Sequence, residues 1–320
     1  MTKTYDCFPF FNELEILDLR LKMHNDFVDY FVISESAKTF TGNPKPLFFH
    51  ENRKIFKDYL HKIIHIVVDD FPDTEDPFVR EYHQRHSFLR VMEQAEDNDL
   101  FIIADADELL RQSSILEASN FDGISIFDMP MFQFYMNLQQ SPSGWTACYA
   151  GKKRYLKNIE NISTARWDRS KFYDQLKTEG KILHVMDAGW HFTHLGGFER
   201  LQSKFRSYSH ANDPWPRAMM NKDALKNHIT AGGIVGNFKE VSKFIPITYP
   251  YYPLEINNNQ KVYLDNGFIK DVYEAMDELQ NLFRNTRNDF AKILKFSDDK
   301  SGVLYGLTAK EYSIMADIIL

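Results

Sequence analysis

The spacing of apolar positions changes from one segment of the chain to the next, and that change separates strands from helices. Short, largely apolar runs at Tyr5–Phe11, Tyr30–Ser34 (YFVIS), Ile63–Val68 (IIHIVV) and Leu100–Ala104 (LFIIA) read as strands, and a fifth begins over Ile124–Phe127. Between them the apolar residues recur at helical spacing. Leu14, Leu17 and Leu21 follow the first strand, and Tyr82, Leu89 and Met92 form a stripe that starts near Phe78. A strand apolar on both faces needs cover on both faces. The alternation therefore predicts an α/β domain, a Rossmann-like parallel sheet with helices on each side. Ligands bind such sheets beyond the carboxyl ends of the strands, so the polar residues after each strand are the candidates for chemistry.

The second half is less regular. Phe132–Lys157 is aromatic and β-rich, with a turn at Ser141-Pro142-Ser143-Gly144. A strand at Ile182–Val185 leads into Asp187-Ala-Gly-Trp-His-Phe-Thr-His, and the next helix carries Leu201, Phe205 and Tyr208 on one face. Residues 211–260 contain Gly232, Gly233 and Gly236 and a Pro/Tyr-rich stretch, Ile245–Pro253, expected to wrap the surface. A helical stripe resumes with Ile269, Val272, Met276, Leu279 and Phe283, and Thr308 with Glu311 suggests the capping box of a last helix. The expected organisation is a catalytic domain over residues 1–260 and a helical C-terminal extension over 261–320 packed on it.

The 320 residues suffice for one large α/β domain with such an extension. The net charge of −7 and the lack of a dense Lys/Arg block argue against a nucleic-acid partner. The two cysteines, Cys7 and Cys148, imply neither a disulfide framework nor a zinc site, which suits a reducing compartment. No signal peptide opens the sequence, and no run approaches the roughly 20 apolar residues of a membrane helix. The expectation is a soluble, cytoplasmic enzyme of bacterial or viral type, with no transmembrane segment.

The strongest chemical feature is Asp105-Ala-Asp107-Glu108 at the end of the LFIIA strand. Carboxylates this close repel one another, more so when partly buried. A hard divalent cation, Mn²⁺ or Mg²⁺, relieves that repulsion and can hold a diphosphate in turn. The competing reading is a helix start at Glu108, where acidic residues are favoured. His191, between Trp190 and Phe192, is the candidate third metal ligand, with His194 and His210 as rivals. Asp187, and after it Glu199, are candidates for the base that takes a proton from an acceptor hydroxyl. Glu35, with Thr39 and Thr41 in the loop after the second strand, lies at the ligand edge and can meet a ribose or a base. Arg85, beside Gln84, can pair with a phosphate or an active-site carboxylate, and Lys204 is a further phosphate candidate.

Taken in order, these motifs resemble glycosyltransferase family 17. The likeness starts with Cys7-Phe-Pro-Phe-Phe-Asn12-Glu13-Leu-Glu-Ile-Leu-Asp-Leu-Arg20 and runs through Glu35-Ser-Ala-Lys-Thr-Phe-Thr-Gly42, Gln84-Arg85 and Asp105-Ala-Asp107-Glu108. It continues through Gly189-Trp-His-Phe-Thr193, Gly196-Gly197 and Ser209-His210. The resemblance implies a GT-A fold, a UDP-sugar donor carrying GlcNAc, a divalent metal, a glycan acceptor and inversion at the anomeric carbon. It also implies metal roles for Asp105 and Asp107 and a donor pocket that includes Glu13 and Glu35. Three other readings fit less well. A sugar nucleotidyltransferase needs a Gly-rich loop after its first strand, where this chain reads Phe10-Phe11-Asn12-Glu13. A phosphohydrolase needs a nucleophile motif near Asp105. A non-catalytic carbohydrate-binding protein would account for the 15% aromatic content but not for three clustered carboxylates.

Overall fold

The two-faced apolar runs pair side by side into one sheet. In chain order the strands are β1 (Thr4–Pro9), β2 (Tyr30–Ser36), β3 (Ile63–Val68), β4 (Leu100–Ile103), β5 (Glu108–Leu110), β6 (Ile124–Phe127), β7 (Met131–Gln133), β8 (Leu138–Ser141), β9 (Tyr149–Lys152), β10 (Ile182–Val185), β11 (Gly189–Thr193) and β12 (Val241–Phe244). The computed structural model describes residues 2–282 and 284, apart from 142–143, 158, 160, 214–215, 217–218 and 236–240. The chain divides into two compact units. The first comprises Met1–Pro130, Gly144–His191 and Phe205–Ala211; the second comprises Met131–Ser143, Phe192–Lys204 and the described part of Asn212–Leu320.

In the first unit seven strands stand in the order β10-β6-β9-β4-β1-β2-β3. The α/β expectation holds, with one correction: the sheet is mixed. β9 runs antiparallel to β4 and β6, while the other pairs are parallel. The chain leaves the sheet at the carboxyl end of β6 and returns at the same edge, where Met129 pairs with Trp145. A strand re-entering from that edge must run the opposite way, because a parallel one would need a crossover. The chain also turns back across β1 to place β4, so the switch in strand order lies between β1 and β4.

Successive residues of each strand serve opposite faces. Leu100 and Ile102 of β4 pack with Phe8, Phe31 and Ile33 under Leu17 and Leu21 of helix α1 (Leu14–His24). Phe101 and Ile103 pack with Cys7, Val32, Phe88 and Met92 on the other face. A short helix α2 (Phe48–Asn52) follows β2. The stripe read as one helix from Phe78 to Met92 is two, α3 (Pro77–His86) and α4 (Leu89–Met92). The Ser87 hydroxyl bonds to the Gln84 carbonyl at 2.7 Å and competes with the helical ladder at the break. Glu108 begins strand β5, not the helix considered for it; helix α5 (Gln112–Asn120) starts four residues later.

In the second unit β7, β8 and β12 are joined by antiparallel pairing. Phe132, Phe192 and Tyr252 meet at its centre, and the Tyr252 hydroxyl donates to the Met136 carbonyl at 2.9 Å. Ile245–Pro253 is therefore only partly a surface wrap: Tyr249 is exposed, but Tyr252 is fully buried. Helix α6 (Gly197–Ser207) buries Leu201 within this unit. Residues 272–282 are helical, whereas Phe283, Gly236 and the helix expected at Thr308 and Glu311 lie outside the described residues.

One buried network ties the first strand and helix to the turn after β4. Asp6 and Arg20 are both fully buried; Arg20 Nε donates to Asp6 at 2.8 Å, and His24 Nδ1 lies 3.0 Å from the same carboxylate. The other arm of Arg20 donates to three backbone carbonyls of the turn, those of Asp105 at 3.0 Å, Ala106 at 3.3 Å and Glu108 at 2.7 Å. Burial alone would raise the Asp6 pKa, but Arg20 and His24 outweigh it and hold the carboxyl far below its ordinary value.

Arg20→Met leaves a buried, unpaired carboxylate and should cost about 3–5 kcal/mol in urea unfolding at neutral pH. Because the Asp6 pKa is depressed on folding, its contribution is complete above its unfolded value. It is lost as pH falls below about 4. The acid-side decline of wild-type stability should therefore be shallower in Asp6→Asn/Arg20→Met.

Candidate active site

Strand β4 delivers Asp105, Asp107 and Glu108 to the carboxyl edge of the sheet, beside the β1/β4 switch point. Their environments differ. Asp105 retains 30% side-chain exposure and meets two guanidinium groups. Arg85 of α3 donates to its Oδ1 at 3.0 and 2.9 Å, and Arg166 donates to its Oδ2 at 2.6 Å. Glu108 is fully buried. It accepts from Arg166 at 2.7 and 3.1 Å, from the Asp105 backbone N–H at 2.7 Å and from the Trp145 indole N–H. Burial would raise the Glu108 pKa, but the Arg166 charge and hydrogen bonds hold it below the usual range. Arg166, for its part, is held more firmly protonated by Asp105 and Glu108 against the cost of burial.

The charge conflict among the three acids is thus met largely by arginines. Asp107 is placed differently, with Oδ1 3.5 Å from His191 Nε2. Strand β11 brings His191 there by antiparallel pairing with β5, His191 opposite Glu108. His191 is buried, its Nδ1 has no hydrogen-bond partner among the described residues, and its ring lies 4.3 Å from Trp145. Among the described residues no three His, Cys, Asp or Glu side chains gather where they could hold a metal ion.

The remaining candidates take varied positions. Glu13 folds back to accept from the Phe11 and Asn12 N–H groups at 3.2 and 3.0 Å, closing the turn from β1 into α1. Glu35 is fully buried. It accepts from the Phe49 N–H at 3.0 Å and lies 3.1 Å from His65 Nε2. Thr39 and Thr41 bond to each other at 2.9 Å, and Thr41 donates to the Arg206 carbonyl at 2.9 Å. Gln84 anchors α3 by donating to the Ser34 carbonyl at 2.8 Å. His210 sits edge-on against Phe78, centroids 5.0 Å apart. Asp187 has a positive φ of 50°, is largely exposed and pairs with Arg111 at 3.0 Å. Four steps along the chain, about 13 Å if extended, take it to His191. Glu199, exposed in the first turn of α6, Lys204, 3.4 Å from the Thr193 hydroxyl, and His194 belong to the second unit.

Sequence reasoning passed over Arg166 and Trp145, and it assigned Arg20 no role. Arg166 lies in a short 3₁₀ turn, Thr164–Arg166, on the link between β9 and β10, with no local pattern to mark it. The one signal was Asp6, an acid inside an apolar strand, since a buried carboxylate demands a cation nearby.

A family model described as Glycosyltransferase family 17 matches residues 1–262. The β-1,4-mannosyl-glycoprotein 4-β-N-acetylglucosaminyltransferase of Homo sapiens is 32% identical over 121 residues, covering 35% of this chain and 22% of that protein. The enzyme of the same name from Mus musculus is 31% identical over the same coverage. The matched stretch thus spans less than a quarter of those relatives' length. Among solved structures, the mannosyltransferase PcManGT from Pyrobaculum calidifontis, in complex with GDP-Man and Mn²⁺, aligns with a TM-score of 0.40 at 10% identity. That alignment covers 99% of this chain and 84% of the other.

Arg166→Met should strand Glu108 in the interior and cost about 3–5 kcal/mol at neutral pH. With the cation gone, burial is opposed only by weaker partners such as the Trp145 and Asp105 N–H groups, and the Glu108 pKa rises relative to wild type. The deficit relative to wild type should narrow as pH falls and Glu108 takes up a proton, which urea midpoints at pH 5 and 7.5 would check.

Proposed function

The chain belongs to glycosyltransferase family 17, and on that premise we propose that it transfers a sugar, GlcNAc by family likeness, from a UDP-sugar to a hydroxyl of a glycan with inversion at the anomeric carbon. The observation that supports this most is the carboxylate turn at the β1/β4 switch point, where Asp107 and His191 stand together and Asp105 keeps a solvent-facing edge. Open α/β sheets bind their ligands at that place.

A phosphate-bridging cation fits the donor set at the turn. Mg²⁺ and Mn²⁺ draw most of their oxygens from phosphate and water and need only one or two side chains from the protein. Asp107 supplies a carboxylate, and His191 an imidazole whose Nε2 stands 3.5 Å from it. When bound, the cation would neutralise charge on the leaving diphosphate. Arg85 and Arg166 hold Asp105 in place, and Arg20 fixes the backbone between the acids, so the turn is set before the donor arrives. Glu13, Glu35, Thr39 and Thr41 border the donor at the ends of β1 and β2, the first two shaping its backbone surroundings through the N–H groups they accept. Asp187, the candidate base in the same unit, takes the proton of the attacking hydroxyl.

A donor that binds only the folded protein raises its melting temperature. UDP-GlcNAc with Mn²⁺ should raise that of the wild type by several degrees. The shift should disappear with chelator and in Asp107→Ala, whose transfer rate should fall about a hundredfold or more. An equal shift in chelator would remove the metal from the account, and no shift with any nucleotide sugar would remove the donor.

A further inference from the structure

Trp167 is 60% exposed, whereas Trp145 is half-buried and Trp190 buried. A large indole face left in water forgoes burial worth roughly 2 kcal/mol, so a rigidly held one calls for an occupant. Trp167 is rigidly held. Its backbone N–H donates to the Thr164 carbonyl at 2.9 Å, and the residue before it is the buried, doubly paired Arg166. Its ring stands edge-on against Trp145, centroids 4.9 Å apart and planes 82° apart. Trp145 is fixed in turn, its N–H on Glu108 and its ring against His191.

We propose that Trp167, braced by Trp145, is a stacking platform for a pyranose ring of the acceptor glycan; this rests on the transferase reading above. The place of its brace Trp145 at the sheet edge separates acceptor from donor. Glu13 and the Thr39–Thr41 loop follow β1 and β2 on one side of the switch point. Trp145 leads into β9 and exchanges backbone hydrogen bonds of 3.1 and 2.8 Å with Met129, which follows β6 on the other side. A donor nucleotide over β1 and β2 leaves the β9–β6 side for the second substrate. A pyranose offers a face of C–H groups to the electron-rich indole while its rim of hydroxyls stays free to hydrogen-bond. Arg169, two residues on, carries a buried Nε–H with no acceptor among the described residues, a donor suited to such a hydroxyl.

Saturation-transfer NMR tests this without turnover. The probes are methyl β-N-acetylglucosaminide and methyl β-mannoside, each with UDP and Mn²⁺ in the same tube. Wild type should saturate protons on one sugar face. Trp167→Ala should weaken the sugar signal about tenfold, the scale of one aromatic contact, with the UDP signal unchanged, and Trp167→Phe should recover most of it. A sugar signal equal in wild type and Trp167→Ala, joint loss of sugar and UDP signals in that variant, or no glycoside signal from the wild type would each overturn the platform. A missing UDP signal from the wild type, with the sugar signal intact, would tell against the donor reading and leave the platform standing.

Discussion

A carboxylate inside a protein has to be matched by a cation or it drives the chain apart, and the turn after β4 depends on how this chain meets that demand. Asp6 sits in the middle of a strand buried on both faces, and Arg20 reaches it from α1. Arg20 then has donors to spare, and it places them on the carbonyls of Asp105, Ala106 and Glu108. A charge pair in the core thereby becomes a clamp on the backbone that presents the acids. Such pairs add little net stability compared with apolar packing, but removing one partner is costly, so the geometry is strongly enforced.

The same logic repeats one layer outward. Asp105 and Glu108 share Arg166, and Asp105 also takes Arg85. Three adjacent acids looked from the sequence like a demand for a metal, but cations from two distant segments answer most of it. Asp107 is placed differently, its Oδ1 3.5 Å from His191 Nε2. The arginines and the proposed cation are complementary: the former fix the turn, and the latter would join it to the donor diphosphate.

Periodicity made the sheet legible. Ile63–Val68 was readable as a strand, and the runs at Ile124–Phe127 and Ile182–Val185 were placed, because short apolar runs flanked by polar residues are buried most readily in a sheet. The acids after β4 were legible for a related reason, since a polar cluster ending an apolar strand stands out locally. The direction of β9 was not legible, because it follows from where the chain re-enters the sheet and not from its own residues. Arg166 and Trp145 were not legible either. Each meets Glu108 across 58 or 37 residues, and no local spacing encodes such a contact. Tyr252 misled in the opposite sense: its Pro/Tyr-rich surroundings read as surface, but its ring packs with Phe132 and its hydroxyl meets the Met136 carbonyl.

The central claim is that the turn carrying Asp107 moves a sugar from a nucleotide with inversion. Proton NMR of the protein with UDP-GlcNAc, Mn²⁺ and a panel of glycan acceptors tests it most directly, by following the anomeric proton of the donor alongside that of the newly formed glycoside. The account predicts that wild type consumes the α-linked donor and builds a β-configured product signal, while Asp107→Ala leaves the donor intact. Donor that persists with the wild type across a broad acceptor panel, or disappears equally fast with Asp107→Ala, would contradict it.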